Sequence, residues 1–314
     1  MEGIKYNKLA NLSYGKFKRC TGVSKYVFEM LFLVVSDGLK LKKKIGRTNK
    51  LSIADRILMF LEYYREYRTF FHIGLDYGLH EVNAQRNIEQ IEQILFNSGY
   101  FKLEGKRVLA RDTRITNIRV DVTECPAQRP KKKVKNKQKI KRSSKQKHKY
   151  SGKKKKHTHK IQVVQNASTK GIICLDFAKG GEHDFKLFKK SKLHIHSKCF
   201  TDVDLGYQGI ADLHANVNIP KKKARRPNQT KEEKKKAKNN KLSKAERKQA
   251  KLLLLSKEDR LNNKKLATQR VGIEHINRQL KVFKIIQQTY RSHQKFGMRA
   301  TLIATFINAN LFFF

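Results

Sequence analysis

The chain of 314 residues contains 72 Lys plus Arg against only 26 Asp plus Glu, a formal net charge of +46. This excess goes beyond what solubility requires and predicts a polyanionic partner, with nucleic acid favoured over an anionic membrane surface. Four widely separated cysteines without a CxxC pair argue against a zinc site and a disulfide framework, and no apolar stretch is long enough to span a bilayer.

Helical patterns over residues 1–105 predict an all-α N-terminal domain. A capping-box pattern that begins at Ser52 marks the start of one helix. A short apolar segment follows over residues 70–77, and a third helix over about residues 80–95. This succession, with a glycine turn before the third helix, predicts a helix-turn-helix over about residues 51–96. An ordinary helical bundle remains the alternative.

The third predicted helix carries candidate DNA-binding residues. Asn83, Arg86 and Asn87 lie away from its apolar stripe, where they could contact a DNA groove or backbone. Acidic residues on the same helix disfavour such a contact and keep the bundle alternative open. They are Glu81, Glu89 and Glu92.

Over residues 106–314 the periodicity becomes mostly extended and predicts an α/β domain. Three strands, a short helix and a fourth strand follow one another, with carboxylates at strand ends, which is the order of an RNase-H-like sheet. The strands are expected around residues 118–122, 161–164, 171–177 and 198–204, and the helix at 184–190.

Two Lys-rich stretches, residues 131–156 and 221–269, interrupt this pattern as insertions. Neither can bury enough apolar area to fold alone, so we expect both to be helical or disordered until DNA neutralises them. Solvated linkers are the alternative.

Three carboxylates stand out in a chain that otherwise avoids acid. Asp121 lies on the first predicted strand, Asp204 at the end of the fourth, and Glu274 on a C-terminal helix. Carboxylates from separate elements suit hard cations, and two divalent ions can activate the attacking oxygen and stabilise the leaving oxygen of a phosphodiester. The pattern therefore predicts two Mg²⁺ ions, with Mn²⁺ as a substitute.

Other interpretations of these residues remain open. Asp202 is two residues from Asp204 and could share its strand face. Glu274 could form a plain helix-surface pair with Arg278. The histidines His157 and His159 could mimic a metal pair, although DNA contacts or plain surface positions are the favoured interpretation.

Several motifs occur together and resemble one family. They are DVTECPAQRPKKK from Asp121, YSGKKKKHTHK from Tyr150, GGEHDFKLFKKSK from Gly180, DLGYQGI from Asp204 and IEHINRQLKVFKI from Ile273. In this order they resemble the DDE transposases of bacterial insertion sequences. The branch is the insertion-sequence-five family, whose catalytic domain is similar to that of Harbinger-type elements. The likeness covers about residues 50–308.

The resemblance implies a catalytic triad of Asp121, Asp204 and Glu274. It implies binding to double-stranded DNA at terminal inverted repeats, Mg²⁺-dependent strand cleavage, and attack of the freed 3′-hydroxyl on target DNA. The pair His183 and Asp184 matches a recurring pair, which we expect to support the site without reacting. Candidate contacts near the scissile strand are Lys153, Lys154, Lys155, Lys156, Arg278 and Lys281.

Such an enzyme is expected to work as a homo-oligomer on paired DNA ends in the bacterial cytoplasm, associated with the nucleoid and not with a membrane. Leu205 departs from the small or hydroxyl residue usual beside the second aspartate, and the long insertions are also atypical. A catalytically inactive, transposase-derived DNA-binding protein is therefore the alternative. A site-specific nuclease without strand transfer shares the same chemistry and also stays open.

Overall fold

A computed structural model describes residues 3–41, 49–130, 144–222 and 255–312. The first part of the chain is helical, as predicted. Within it Ser52, Thr69 and His80 each cap a helix through their side chains, and Gly78 ends one in the left-handed region at φ 61°. The helices are α1 (Ile4–Ala10), α2 (Tyr14–Thr21), α3 (Lys25–Lys40), α4 (Ile53–Glu66), α5 (Phe70–Tyr77) and α6 (Glu81–Asn97).

One detail of the predicted capping box is wrong. The Ser52 hydroxyl accepts a hydrogen bond from the Asp55 N–H, but the Asp55 carboxylate does not return to the cap. It accepts instead from the backbone N–H groups of Lys5 and Tyr6, at 3.1 and 2.9 Å. These groups belong to the first turn of α1, which has no intrahelical acceptor for them. Asp55 therefore ties α1 to α4.

A six-stranded mixed sheet forms the second part of the fold. The order is β2-β3-β1-β5-β6, and β4 pairs with β3 on the edge opposite to β1. β1 pairs antiparallel with β3, β3 antiparallel with β4, and β1 parallel with β5. The strands are β1 (Asn117–Pro126), β2 (Tyr150–Ser151), β3 (Lys156–Asn166), β4 (Ile172–Lys179), β5 (Phe200–Asp202) and β6 (Val217–Asn218). The four predicted strands are confirmed, whereas β2 and β6 were not predicted.

Short helices and the C-terminal helices cover the sheet. They are α7 (Val108–Arg111), α8 (Ser144–Lys149), α9 (Asp184–Ser191), α10 (Lys257–Val282), α11 (Lys284–Gln287) and α12 (Phe296–Phe312), with single 3-10 turns at Leu205–Tyr207 and Ile210–Asp212. Among the described residues no helix is both long and apolar enough to cross a bilayer.

The predicted insertion over residues 221–269 is helical over residues 257–269. They are the first half of α10, the same helix that carries Glu274. Its start is fixed by a capping box in which Ser256 and Asp259 exchange backbone hydrogen bonds. Lysine favours helices, which agrees with the helical form expected for this stretch. Residues 223–254 and 131–143 lie outside the described residues.

The helical part and the sheet share a hydrophobic core. Its buried members come from α2 to α6, from β1, β3 and β4, and from α10 to α12. Phe306 of α12 contacts both Phe60 of α4 and Phe101 edge-to-face. α12 is largely buried and packs between the helical part and β4. A second core under the opposite sheet face includes Ile118, Val120, Phe188 and Tyr207.

A buried ion pair joins α6 to α12. Glu92, buried on α6, accepts from Arg299 Nε at 2.7 Å and from its Nη2 at 3.3 Å. The Tyr64 hydroxyl donates to the same carboxylate. Glu89 pairs with Lys295 at 3.1 Å. Two of the acids that seemed to oppose DNA binding by α6 therefore face other parts of the protein.

Candidate active site

Asp121 projects from the centre of β1 toward α10. Alternation along the strand buries Ile118 and Val120 in the second core and turns Arg119 and Asp121 to the other face. α10 packs closely there, since a Cβ at Gly272 would lie 2.5 Å from the Arg119 guanidinium. Glycine at this position lets the helix approach the strand that carries the carboxylate.

Asp204 reaches the same place from β5. The parallel pairing of β1 with β5 aligns Arg119 with Asp202, so two residues further Asp204 comes level with Asp121. Its Oδ1 accepts from the Gly206 N–H at 3.0 Å, which fixes the carboxylate at the start of a 3-10 turn. The Asp204 side chain keeps 42% of its surface exposed. It is thus held by its turn and remains open to a ligand.

One guanidinium bridges the two aspartates. The Nη2 of Arg270, on α10, lies 3.8 Å from Asp121 Oδ1 and 3.9 Å from Asp204 Oδ2. Asn277, seven residues along the helix, donates to Asp121 Oδ2 at 2.8 Å. The site therefore places a positive group between two carboxylates that come from different strands.

The surroundings of Asp121 disfavour its negative charge. Burial raises its pKa to about 6, Arg270 opposes that rise, and Asp204 and Asp184 add to it. Burial together with Asp121, Asp184 and Asp204 also raises the pKa of Tyr207 well above its ordinary value. Uncompensated carboxylate charge of this kind is the condition that a bound cation relieves.

Glu274 lies on the helix face that contacts Asp121. It follows Arg270 by four residues and precedes Asn277 by three, and this spacing puts all three on one side of α10. Its side chain is exposed. Within the described part of the chain no group of three or more His, Cys, Asp or Glu is close enough to hold a metal. The structure brings Asp121 and Asp204 together but does not complete a three-carboxylate cluster with Glu274.

Asp202 has a different environment from Asp204. It is 2% exposed and accepts from Asn218 Nδ2 at 2.8 Å and Asn117 Nδ2 at 3.3 Å. The Arg119 Nε lies 3.9 Å away. These contacts tie β5 to its neighbours β1 and β6. The buried Asp202 carboxylate is therefore used within the sheet, whereas the Asp204 carboxylate is open to a ligand.

The pair His183 and Asp184 divides between two surroundings. Asp184 accepts from Lys160 Nζ at 2.8 Å and lies next to the Asp204 turn, where a Cβ at Gly206 would be 3.5 Å from its Oδ2. His183 is the exposed N-cap residue of α9 and makes no capping bond through its side chain. Asp184 therefore adjoins the two aspartates, whereas His183 faces a separate cavity.

The predicted DNA contacts occupy three surfaces. Asn83 and Arg86 are exposed on α6, but Asn87 is partly buried and bonds to Asn49 and to the Asn83 carbonyl. Residues 153–156 are exposed lysines at the hairpin between β2 and β3. On α10, Arg278 is exposed and Lys281 partly buried, one and two turns beyond Glu274.

Comparison with known proteins adds an independent finding. A family model described as transposase DDE domain matches residues 114–309, and one described as helix-turn-helix of DDE superfamily endonuclease matches residues 49–101. The probable transposase for insertion sequence element IS702 from Microchaete diplosiphon is 39% identical over 310 residues, covering 98% of this chain and 99% of that protein. The chain belongs to the DDE transposase family. No solved structure matches it.

The transposase belongs to enzymes that cleave and join DNA with divalent metal ions. Its helix-turn-helix implies DNA binding, and this domain precedes an α/β domain consistent with an RNase-H-like fold. The prediction of a DDE transposase of an insertion sequence is confirmed.

The chemistry of the site suits a divalent metal. Asp121 and Asp204 converge on one cationic group, and the buried Asp121 has an elevated pKa, so an oxygen-ligated cation fits this donor set. Such an ion supplies Lewis-acid activation of a phosphodiester and of the attacking hydroxyl. The carboxylates that the structure brings together there are those of Asp121 and Asp204.

Sequence reasoning selected neither Arg270 nor Asn277 for the site. Helical spacing could have found both, because positions four before and three after a candidate carboxylate share its face. Lys160, whose Nζ bonds Asp184 and the Glu182 carbonyl, had no such signal. Its role depends on the pairing of distant segments.

Proposed function

We propose that this transposase cleaves its element's terminal inverted repeats and transfers the resulting 3′-hydroxyl to target DNA, using two Mg²⁺ ions held by Asp121, Asp204 and Glu274. One observation carries the proposal: two carboxylates from separate strands converge on the face of α10 that bears Glu274. A family of metal-dependent DNA-cleaving enzymes gives that arrangement its chemistry.

Each residue has a distinct part in this scheme. Asp121 would be a metal ligand, because it lies in the middle of β1 and its surroundings disfavour its negative charge in the absence of a cation. Asn277 fixes one Asp121 oxygen and so orients the carboxylate. A bound metal ion would take the place that the Arg270 guanidinium now has between the carboxylates, and would leave that guanidinium free to contact a DNA phosphate.

Binding of the DNA ends belongs to the basic surfaces. Asn83, Arg86 and Asn87 on α6 would contact the inverted repeat, and the hairpin lysines 153–156 with Arg278 and Lys281 would hold the strand near the site through its phosphates. We also propose that the protein acts as a homo-oligomer on paired ends, in the cytoplasm at the nucleoid, with residues 1–105 and 106–314 as its two domains.

The proposal is tested by cleavage of a labelled DNA that carries the element's own terminal repeat, in Mg²⁺ or Mn²⁺. Asp204→Ala is expected to abolish nicking, whereas Asp202→Ala retains it in the fraction of protein that folds. Single-strand nicks at the repeat end followed by joining to a target plasmid separate a transposase from a plain nuclease. Salt-sensitive DNA binding without cleavage in either metal would contradict the proposal and favour the inactive DNA-binding alternative.

A further inference from the structure

A cavity of about 750 Å³ opens at the edge of the sheet, beside β4 and apart from Asp121. Its wall combines aromatic rings with basic side chains from β4, α9 and the start of α12. The main lining residues are His159, Phe177, Lys179, His183, Lys186 and Phe296. Neither the triad nor the helix-turn-helix accounts for this composition.

The aromatic part of the wall is fixed in place. Phe177 is 39% exposed on the edge strand and packs edge-to-face on Phe296, with centroids 6.1 Å apart. α12 supports the ring from behind, since a Cβ at Gly297 would lie 3.3 Å from its carbons. His159 stacks on Phe296 at 4.4 Å, and burial lowers its pKa to about 4, so at neutral pH it is a third uncharged ring. The rings form a platform with one exposed member, Phe177.

The rim of the cavity is positively charged. Lys179 follows Phe177 by two residues on the same strand, so both project to the same side, and Lys186 is exposed on α9. The one carboxylate in the lining, Glu182, pairs with Lys190. An aromatic platform with a lysine rim is the surface that stacks unpaired bases and holds their phosphates. A duplex offers no exposed base face, because its bases are stacked inside.

The cavity lies two strands away from the proposed active site on the same sheet. β4 pairs with β3 and β3 with β1, so Phe177 lies two strand spacings, about 10 Å, from the strand of Asp121. The loop before α9 connects the two places: Asp184 lies by the Asp204 turn, and its neighbour His183 lines the cavity. A DNA strand held at the aspartates can therefore place a nearby nucleotide in the cavity.

We propose that this cavity binds an unpaired nucleotide of the DNA strand next to the cleaved phosphate, with the base on Phe177 and the flanking phosphates on Lys179 and Lys186. Its position relative to the cleaved phosphate rests on the proposed function. The binding itself does not, since it depends on the aromatic platform and its lysine rim.

The test is binding of a fluorescein-labelled single strand of about 12 thymidines, followed by anisotropy in EDTA over a range of NaCl concentrations. Phe177→Ala is expected to bind about tenfold more weakly at every salt concentration, with the slope of log affinity against log salt unchanged. Lys179→Gln with Lys186→Gln is expected to reduce that slope by about 1.4, because two phosphate contacts are lost.

Phe200→Ala is the matched control, because Phe200 is 47% exposed on β5 of the same sheet and does not line the cavity. It is expected to bind the single strand as the wild type does. Duplex of equal length is expected to bind Phe177→Ala and wild type equally. Thermal melts confirm that each variant is folded.

Equal binding of the single strand by Phe177→Ala and Phe200→Ala would overturn the inference, as would an equal loss of single-strand and duplex binding in Phe177→Ala. Because the assay contains EDTA, its result is independent of cleavage. If the wild type cleaves its terminal repeat but Phe177→Ala binds the single strand as Phe200→Ala does, the proposed function is supported and the cavity site is refuted. The reverse pattern leaves a single-strand site on a protein that does not cut.

Discussion

Arg299 of the C-terminal helix α12 pairs with Glu92 of α6, and we predict that its replacement by Met is strongly destabilising. Its guanidinium makes two hydrogen bonds to the buried Glu92 and lies 3.3 and 3.1 Å from the hydroxyls of Tyr63 and Tyr290. Burial disfavours its charge, yet Glu92 and the tyrosines raise the pKa of Arg299 above its ordinary value. The Arg299 guanidinium therefore stays charged inside the core.

Removing one partner of a buried pair costs about 3–5 kcal/mol, because the other charge stays buried without compensation. We expect Arg299→Met near the top of this range, since two tyrosine hydroxyls lose a partner as well. For a chain of this length, about 2 °C in Tm corresponds to each kcal/mol, so the melting temperature should fall by about 8–10 °C.

Urea and thermal unfolding of a double-mutant cycle measure this effect. Glu92→Gln combined with Arg299→Met should recover about 2 kcal/mol or more relative to the sum of the single variants. The exposed pair of Lys40 and Asp37 is the control, and Lys40→Met should change stability by less than about 0.5 kcal/mol. A loss below about 1 kcal/mol for Arg299→Met, or strict additivity in the cycle, would refute the reasoning.

The remaining predictions concern the carboxylates and the basic hairpin. Folding raises the pKa of Asp121 from 3.8 to about 6, so the folded protein binds more protons than the unfolded chain between these values and loses stability as pH rises through them. Asp121→Asn should therefore be more stable than the metal-free wild type at pH 8, by up to about 3 kcal/mol, and similar to it at pH 4; urea melts at the two pH values check this. Asp202→Ala should lower stability by about 2–3 kcal/mol, because Asn117 and Asn218 lose their shared acceptor, while metal-dependent nicking per folded molecule persists. Unchanged melting would count against this structural role. Replacing residues 153–156 by Gln should reduce the slope of log affinity against log salt for duplex DNA by up to about 3.6, and an unchanged slope in a filter-binding titration would exclude these lysines as phosphate contacts.

Local sequence patterns were enough to predict most of the individual elements. Side-chain caps and helical spacing predicted the helices that begin after Ser52 and His80, and alternation predicted β1. These signals come from residues close in sequence. The C-terminal helix that carries Glu274 was likewise predicted. In α10, Ile273, Ile276 and Leu280 repeat at helical spacing and are buried.

Contacts between segments that are distant in the sequence could not be predicted from local patterns. Glu92 appeared to be an acid on a DNA-binding face because its partner Arg299 lies far along the chain and helical spacing does not connect them. For the same reason, the approach of Arg270 to Asp121 and Asp204 needed the packing of α10 on the sheet. β2 and β6 have two residues each, which is too short for alternation to reveal.

We propose that Asp121, Asp204 and Glu274 together hold the metal. Glu274 is the ligand to test first, because its side chain does not form a cluster with the other two among the described residues. The most direct test counts Mn²⁺ bound to the transposase on its terminal-repeat DNA by electron paramagnetic resonance, with Glu274→Gln compared against Asp202→Asn. We predict two bound Mn²⁺ ions for wild type and Asp202→Asn and fewer than two for Glu274→Gln. Equal Mn²⁺ binding by wild type and Glu274→Gln would contradict this prediction.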